Sequence, residues 1–244
     1  MIEIESVTKR YSNFTAVNQL SLSVGKGEIF GFLGVNGAGK TTTIKMMVGI
    51  LRPTSGEITI GGHKLSTNSL DAKRITGYIP DRPYIYPKLT GKEFLYFVCD
   101  LYSVPANDAH KRIDQLLEEY ALREWEDELV ESYSHGMKQR LATCAALVHN
   151  PQVLIVDEPM VGLDPHGAKF LKEAFKRYAK QGMSIFLSTH SLNVAEEVAD
   201  RLAIIHRGEI ITIGSLASIR EKTGQLDEGL ENLFLQLTSN YLAQ

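Results

Sequence analysis

Eight consecutive residues, Gly34-Val35-Asn36-Gly37-Ala38-Gly39-Lys40-Thr41, fit the pattern GxxxxGK[ST], and each residue type in it has a chemical use. Glycines let a backbone wrap a phosphate group without Cβ clashes. The loop therefore offers Gly34, Asn36, Gly37, Ala38 and Gly39 as cradle positions, with Lys40 able to reach β- and γ-phosphates and Thr41 able to ligate Mg²⁺. A second threonine, Thr42, follows at once. The flanks suit such a loop. Ile29-Phe30-Gly31-Phe32-Leu33 is a short apolar run of strand type, and Thr42 to Gly49 carries apolar residues at helical spacing. Strand, glycine turn and helix start together aim several backbone N–H groups and the positive end of a helix dipole at one point.

Two later strand ends carry matching chemistry. Asp157-Glu158 closes the apolar run Val153-Leu154-Ile155-Val156. In a parallel sheet, residues at the carboxyl ends of strands line the ligand crevice. Asp157 can hold a Mg²⁺ ion bridging terminal phosphates there, and Glu158 can orient or deprotonate water. Such a pair is otherwise a helix cap or a solvated couple; the preceding phosphate loop favours the chemical reading. His190 ends the next apolar run, Ser184 to Thr189, so the same geometry brings it to the same crevice. An imidazole there can hydrogen-bond a γ-phosphate or the attacking water. Ser134, in Tyr133-Ser134-His135-Gly136-Met137-Lys138-Gln139-Arg140, opens a helical pattern as a natural N-cap. A helix N-terminus with a free hydroxyl is a second anion site, although capping alone explains the residue fully. Tyr11, in Tyr11-Ser12-Asn13-Phe14, either stacks on a nucleobase or covers a sheet edge, and spacing does not choose between them.

These residues need a scaffold, and the chain supplies one in order. Residues 2 to 8 alternate apolar and polar, as do Leu20, Leu22 and Val24, which reads as antiparallel sheet packed on one face. Glu57 to Gly62 is a further strand ending in a turn, and Ile75 to Pro80 is the next strand. From 82 to 149 the strand signals vanish and three amphipathic helical patterns appear, around 90–103, 107–120 and 136–149. The α/β pattern then resumes with the runs ending at Asp157 and Thr189, helices near 166–180 and 191–199, and a hairpin over 203–213. A helical stretch at 215–240 follows, with Leu230, Leu233, Phe234 and Leu237 as an apolar stripe.

Composition narrows the function classes. A net charge of −3 gives no electrostatic case for a nucleic-acid partner. The acidic, alternating N-terminus is unlike a signal peptide, and no apolar run approaches the roughly 20 residues that span a bilayer. Any membrane role is therefore expected through a partner chain. Cys99 and Cys144 lie far apart in apolar helical patterns and read as buried thiols in a reducing compartment.

In their order, these stretches resemble the nucleotide-binding subunit of an ATP-binding cassette (ABC) transporter, over essentially the whole chain. Gly34 to Thr41 is similar to the family's Walker A loop, and Val153 to Glu158 to its Walker B strand with the general-base glutamate. Tyr133 to Met137 corresponds to the signature motif usually written LSGGQ, Gly162-Leu163-Asp164-Pro165 to the D-loop, His190 to the switch histidine and Tyr11 to the adenine-stacking aromatic. The resemblance implies an α/β fold: a P-loop NTPase core, with a mixed sheet and an antiparallel N-terminal subdomain, plus an all-helical subdomain insertion. Residues 1–81 and 150–214 would form the core, 82–149 the signature subdomain and 215–244 a helical tail, all within a single domain. It further implies an ATPase with ATP and Mg²⁺ as ligands, catalytic roles for Lys40, Glu158 and His190, and a head-to-tail homodimer or heterodimer around two ATP molecules. Ser134 and Gly136 would then meet the γ-phosphate held by the other chain. A separate integral membrane permease would be powered from the cytoplasmic face, the tail resembling those of ABC-2 type exporters. The alternative is a soluble ABC ATPase acting on ribosome or DNA, which would carry tandem cassettes or a coiled-coil or zinc insertion; the sequence has neither.

Two positions depart from the family's pattern. Asp81 stands where Gln is usual; being shorter and charged, it favours the metal, and it joins Thr41 and Asp157 as a candidate Mg²⁺ ligand. His135 stands where the signature motif has its first Gly. The loop Asp81 to Pro87, aromatic and proline-rich, reads either as a docking surface for the membrane partner or as local packing.

Overall fold

The structure, a computed structural model, describes residues 1–160, 163–223 and 229–242. The chain opens with β1 (Ile2–Tyr11), β2 (Phe14–Val24) and β3 (Ile29–Leu33), then α1 (Lys40–Met47), β4 (Ser55–Ile60), β5 (His63–Lys64), α2 (Ser69–Arg74) and β6 (Thr76–Ile79). Three helices follow without an intervening strand: α3 (Gly91–Leu101), α4 (Ala106–Glu119) and α5 (His135–Leu147). The remainder is β7 (Val153–Asp157), α6 (Pro165–Lys180), β8 (Ser184–Thr189), α7 (Leu192–Val198), β9 (Arg201–His206), β10 (Glu209–Gly214), α8 (Leu216–Thr223) and α9 (Leu230–Leu242).

Two sheets result. The antiparallel one has the order β2-β1-β4-β5, with register Ile2↔Val24 and Ile4↔Leu22 placing the apolar members of both alternations on one face. The larger has the order β10-β9-β3-β8-β7-β6, parallel from β9 to β6 with β10 antiparallel at its edge. Its central strands β3, β7 and β8 are buried at every position, as their unbroken apolar runs require. Their period of two splits the core. Phe30, Phe32, Val153, Ile155 and Phe186 join the antiparallel sheet and α1 in one apolar cluster. Leu154, Val156, Ile185 and Leu187 join α3, α4, α5 and α6 in the other. The parallel sheet is thus covered on both faces, with helices from the 82–149 segment on one side and the antiparallel sheet on the other. A third cluster packs Leu33, Leu202 and Ile204 against Ala195, Ile219, Leu230 and Phe234 of the later helices.

Local signals set the helix starts. Thr90 and Glu93 form a reciprocal capping box at α3, Ser134 Oγ accepts from the Met137 N–H at α5, and Asp164 Oδ1 accepts from the Gly167 N–H at α6, with Pro165 next. The strand expected over residues 2–8 runs on to Tyr11, but its alternation breaks at Ser6, where the register shifts and φ is 48°; the helical stretch expected over 215–240 is two helices, residues 224–228 lying outside the described set. Gly162, the first residue of the segment similar to a D-loop, also lies outside it.

Candidate functional site

The phosphate loop leaves β3, which runs between β8 and β9 in the middle of the sheet, and enters α1 at Lys40. Its glycines have different jobs. A Cβ on Gly34 would lie 2.5 Å from the Ile205 carbonyl oxygen, and one on Gly39 2.7 Å from that of Ala16, so both are closed to larger residues by neighbouring backbone. Gly37 has open space around it but a φ of 81°, which L side chains rarely adopt. The loop is fixed by hydrogen bonds from the Ala38 N–H to Val35 O (3.1 Å) and from the Gly208 N–H to Ala38 O (2.8 Å). Asn36, Gly37, Gly39, Lys40, Thr41 and Thr42 line one cavity of about 390 Å³, and Ala38 is buried beneath it.

Lys40 is only 6% exposed, and its ammonium donates to Gly34 O at 2.7 Å while lying 3.7 Å from Glu158 Oε1. Glu158 ends the Walker-B-like strand with a φ of 49°, an uncommon conformation for a residue with a side chain, and its N–H donates to Ser188 O. That turn puts its carboxylate between two partners. Oε2 accepts from the His190 N–H and lies 2.9 Å from His190 Nδ1, while Oε1 faces Lys40. The carboxylate is thus oriented at both oxygens, with its own side chain largely buried and the imidazole more than half exposed.

Asp157, paired in register with Ser188, is 2% exposed, and its Oδ1 accepts no hydrogen bond among the described residues. Burial pushes its carboxyl above the usual range; the charges of Glu158 and Asp81 act in the same sense, and the hydroxyls of Ser188 and Thr41 oppose it. Tyr78, facing Asp157 and Asp81, is pushed up to about 12, by burial first and then by those charges. An orphaned, buried carboxylate oxygen beside a threonine hydroxyl is an environment that a divalent cation would relieve. Thr41, Asp157 and Asp81 all line the cavity and fit Mg²⁺ in this respect. Among the described residues no group of three or more His, Cys, Asp or Glu could hold a metal by itself, so phosphate oxygens and water would complete the coordination.

Tyr11 also lines this cavity, half-exposed, with Lys9 Nζ 5.3 Å from its ring centre. The β-hairpin register pairs it with Phe14, which stands 63% exposed at the same mouth. Sequence reasoning gave Phe14 no role of its own; only the two-residue turn between the strands reveals it. Ser188 was likewise missed, because its approach to Asp157 comes from strand pairing.

Ser134 and Gly136 are not brought to this cavity. They line a separate one of about 480 Å³, between α5, the end of α4 and the start of α6, together with Leu163 and Asp164. Asp164, besides lining it, caps α6.

Comparison with known proteins agrees with this layout. A profile of the family described as "ABC transporter" matches residues 17–161. The chain is 38% identical over 224 residues to the linearmycin resistance ATP-binding protein LnrL of Bacillus subtilis, covering 92% of this chain and 72% of that protein. It is 40% identical over 212 residues to the bacitracin transport ATP-binding protein BcrA of Bacillus licheniformis, covering 86% and 68%. A solved structure described as the ATP binding subunit of an ABC transporter superposes with a TM-score of 0.93 at 32% identity, over 98% of this chain and 99% of that one. Another, cbiO1 from Clostridium perfringens, described as part of the ABC transporter complex cbiONQ, gives 0.79 at 25% identity over 91% of each. With a phosphate loop, strand-end carboxylates and an imidazole converging as they do here, the chain binds ATP and belongs to the ABC transporter family as one of its ATPases.

Proposed function

We propose that this ATPase works as a head-to-tail dimer around two ATP molecules and powers a separate membrane permease, in the outward direction. The observation that carries the dimer is the separation of its two half-sites. Lys40, Thr41, Asp157 and Glu158 share one cavity, whereas Ser134 and Gly136, on a helix N-terminus, line another. A second chain would bring its α5 N-terminus to the phosphates that the first chain leaves open, adding positive dipole and a hydroxyl to charge that one chain neutralises in part.

Within that site the chain's own groups divide the work. Lys40 and the N-terminus of α1 hold the β- and γ-phosphates. Glu158 takes the proton of the attacking water, held in place through Oε2 by His190. An imidazole donating through Nδ1 keeps its Nε2 free as acceptor or, when protonated, as a second donor for the γ-phosphate. Thr41 and Asp157 would hold Mg²⁺, with Asp81 at the same mouth, and an ion held there would supply positive charge to offset that of the terminal phosphates. Tyr11 stacks on the base.

The permease reading is supported by a surface outside the phosphate-loop cavity. Tyr84 is 84% exposed and packs edge-on to Tyr86, which in turn meets Phe97 edge-on at 5.5 Å. With Pro83, Ile85, Phe94 and Leu101, Tyr84 borders an apolar groove of about 260 Å³, of the size for a short helix of a partner. Among the described residues no helix is long and apolar enough to cross a membrane, so the chain would sit peripherally on the cytoplasmic face. Two relatives named for linearmycin resistance and bacitracin transport support export. Purification from membranes tests this: the chain should come with a hydrophobic integral protein, and Tyr84→Ala with Leu101→Asp should release it while ATP hydrolysis by the isolated chain persists. Recovery only with ribosomes or DNA would overturn the reading.

A further inference from the structure

The signature helix α5 carries Ser134 beside the 480 Å³ cavity that separates it from the start of α6 in the core. Polar contact across to α6 is made on the wall of that same cavity, at the end of α4, where Glu119 and Tyr120 line it. There Glu119 Oε1 accepts from the Tyr178 hydroxyl at 2.7 Å and from the Arg177 guanidinium, both on α6 of the core. The Tyr178 hydroxyl also meets that of Tyr120 at 3.2 Å. Tyr120 is 1% exposed, with its ring edge-on to Phe170 of α6 at 5.3 Å. The next residue, Ala121, turns the chain with a φ of 51°, and just past the end of α4 the carbonyls of Tyr120 and Ala121 are left without a helical partner. Those carbonyls are taken up by the signature helix: Arg140 donates to Tyr120 O at 3.1 Å and reaches Ala121 O at 3.5 Å. Arg140 lies less than two helical turns beyond Ser134.

A continuous set of hydrogen bonds therefore runs from α6, through Glu119 and Tyr120, to Arg140. Helix α6 is itself capped by Asp164, so the set starts on the element that begins beside Ser134's cavity. None of these side chains lines the phosphate-loop cavity. We infer that Glu119, Tyr178 and Arg177 are positioning residues for the signature half-site: they set the angle at which α5 offers Ser134 to the nucleotide held by a second chain. The inference rests on the composite site proposed above. It assigns the bridge to dimer closure alone, because nucleotide capture by a single chain uses the residues of the phosphate-loop cavity, which none of the bridge residues lines.

The experiment uses the full chain carrying Glu158→Gln to prevent turnover. ATP-dependent dimerisation is read by sedimentation velocity, and nucleotide binding by a fluorescent ATP analogue at concentrations where the chain is monomeric. Glu119→Gln and Tyr178→Phe should each weaken dimerisation roughly tenfold, the scale of one lost charge-assisted hydrogen bond, with analogue affinity unchanged. Arg177→Lys, which keeps the charge, should fall between. Tyr178→Phe removes one oxygen and keeps the packing, so it carries the test if Glu119→Gln folds poorly. Ser134→Asp, which keeps the cap and sets a negative charge at the signature half-site, separates the two readings. If it blocks dimerisation while Glu119→Gln and Tyr178→Phe dimerise normally, the positioning role is wrong and the composite site stands. If Ser134→Asp also dimerises normally, the composite site fails and the inference with it. Loss of analogue binding in Tyr178→Phe would mark general damage and would equally overturn the assignment.

Discussion

Asp157 carries the sharpest conflict between fold and function at the level of single residues. It is a buried carboxylate with an unpaired oxygen, its pKa raised chiefly by burial. A raised pKa means the native state holds more protons than the unfolded chain just above pH 3.8, so stability falls as pH rises through that window. At neutral pH the charge therefore costs stability, a cost that Mg²⁺ bound at the proposed site would offset. Asp157→Asn should raise the melting temperature of the nucleotide-free protein by a few degrees, the effect of about 1 kcal/mol in a chain this size. The same variant should lose the further thermal shift that Mg²⁺ with ATP gives the parent; scanning fluorimetry reads both. This residue was legible in the sequence, as were Glu158 and His190, because each ends an apolar run and the end of a parallel strand faces the crevice. Phe14 and Ser188 were not, since what brings them to the site is the pairing of strands, and pairing partners leave no mark in a single sequence.

At the scale of elements, the helix starts decide what can be tested. Ser134 caps α5 and so has a structural duty that masks any other. Ser134→Asp separates them, because Asp caps as well as Ser but sets a negative charge where a partner's γ-phosphate would come. The variant should melt within a degree or two of the parent and fail to dimerise with ATP, as light scattering would record. The far end of α5 is held differently. His149 stacks on Tyr102 of the α3–α4 turn at 3.7 Å between ring centres, and its Nε2 lies 3.2 Å from Thr76 O. Burial lowers its pKa to about 4 from 6.5, so the native state binds fewer protons than the unfolded chain between those values. Stability supplied by the neutral ring is full above pH 6.5 and is lost as pH falls through that window. His149→Phe should flatten the fall of urea midpoint between pH 6.5 and 4; an unchanged slope would assign it to other groups. The helical patterns located α3, α4 and α5 to within a few residues; α3 and α4 each have one apolar face, whereas α5 is buried nearly all round, Gln139 and Thr143 included. The two-residue strand β5 and the break between α8 and α9 were not legible, being too short or too weakly patterned for periodicity to register.

Taken as a whole, the molecule separates its tasks by place. The carboxyl edge of the parallel sheet holds the nucleotide groups, the α5 terminus the signature residues, and the groove beside Tyr84 and Leu101 an apolar surface. The order of elements along the chain was enough to recognise the family, because six short motifs in fixed succession constrain the fold more than any one does. That Ser134 and Lys40 line different cavities was implied by the resemblance but not by residue spacing, since it depends on how the 82–149 segment sits on the core. The separation makes the decisive measurement simple. Glu158→Gln, purified and incubated with ATP and Mg²⁺, should double in mass by size-exclusion chromatography with light scattering, retain two ATP per dimer, and return to the monomer when ADP replaces ATP. A chain that retains ATP as a monomer at every concentration tested would contradict the composite site.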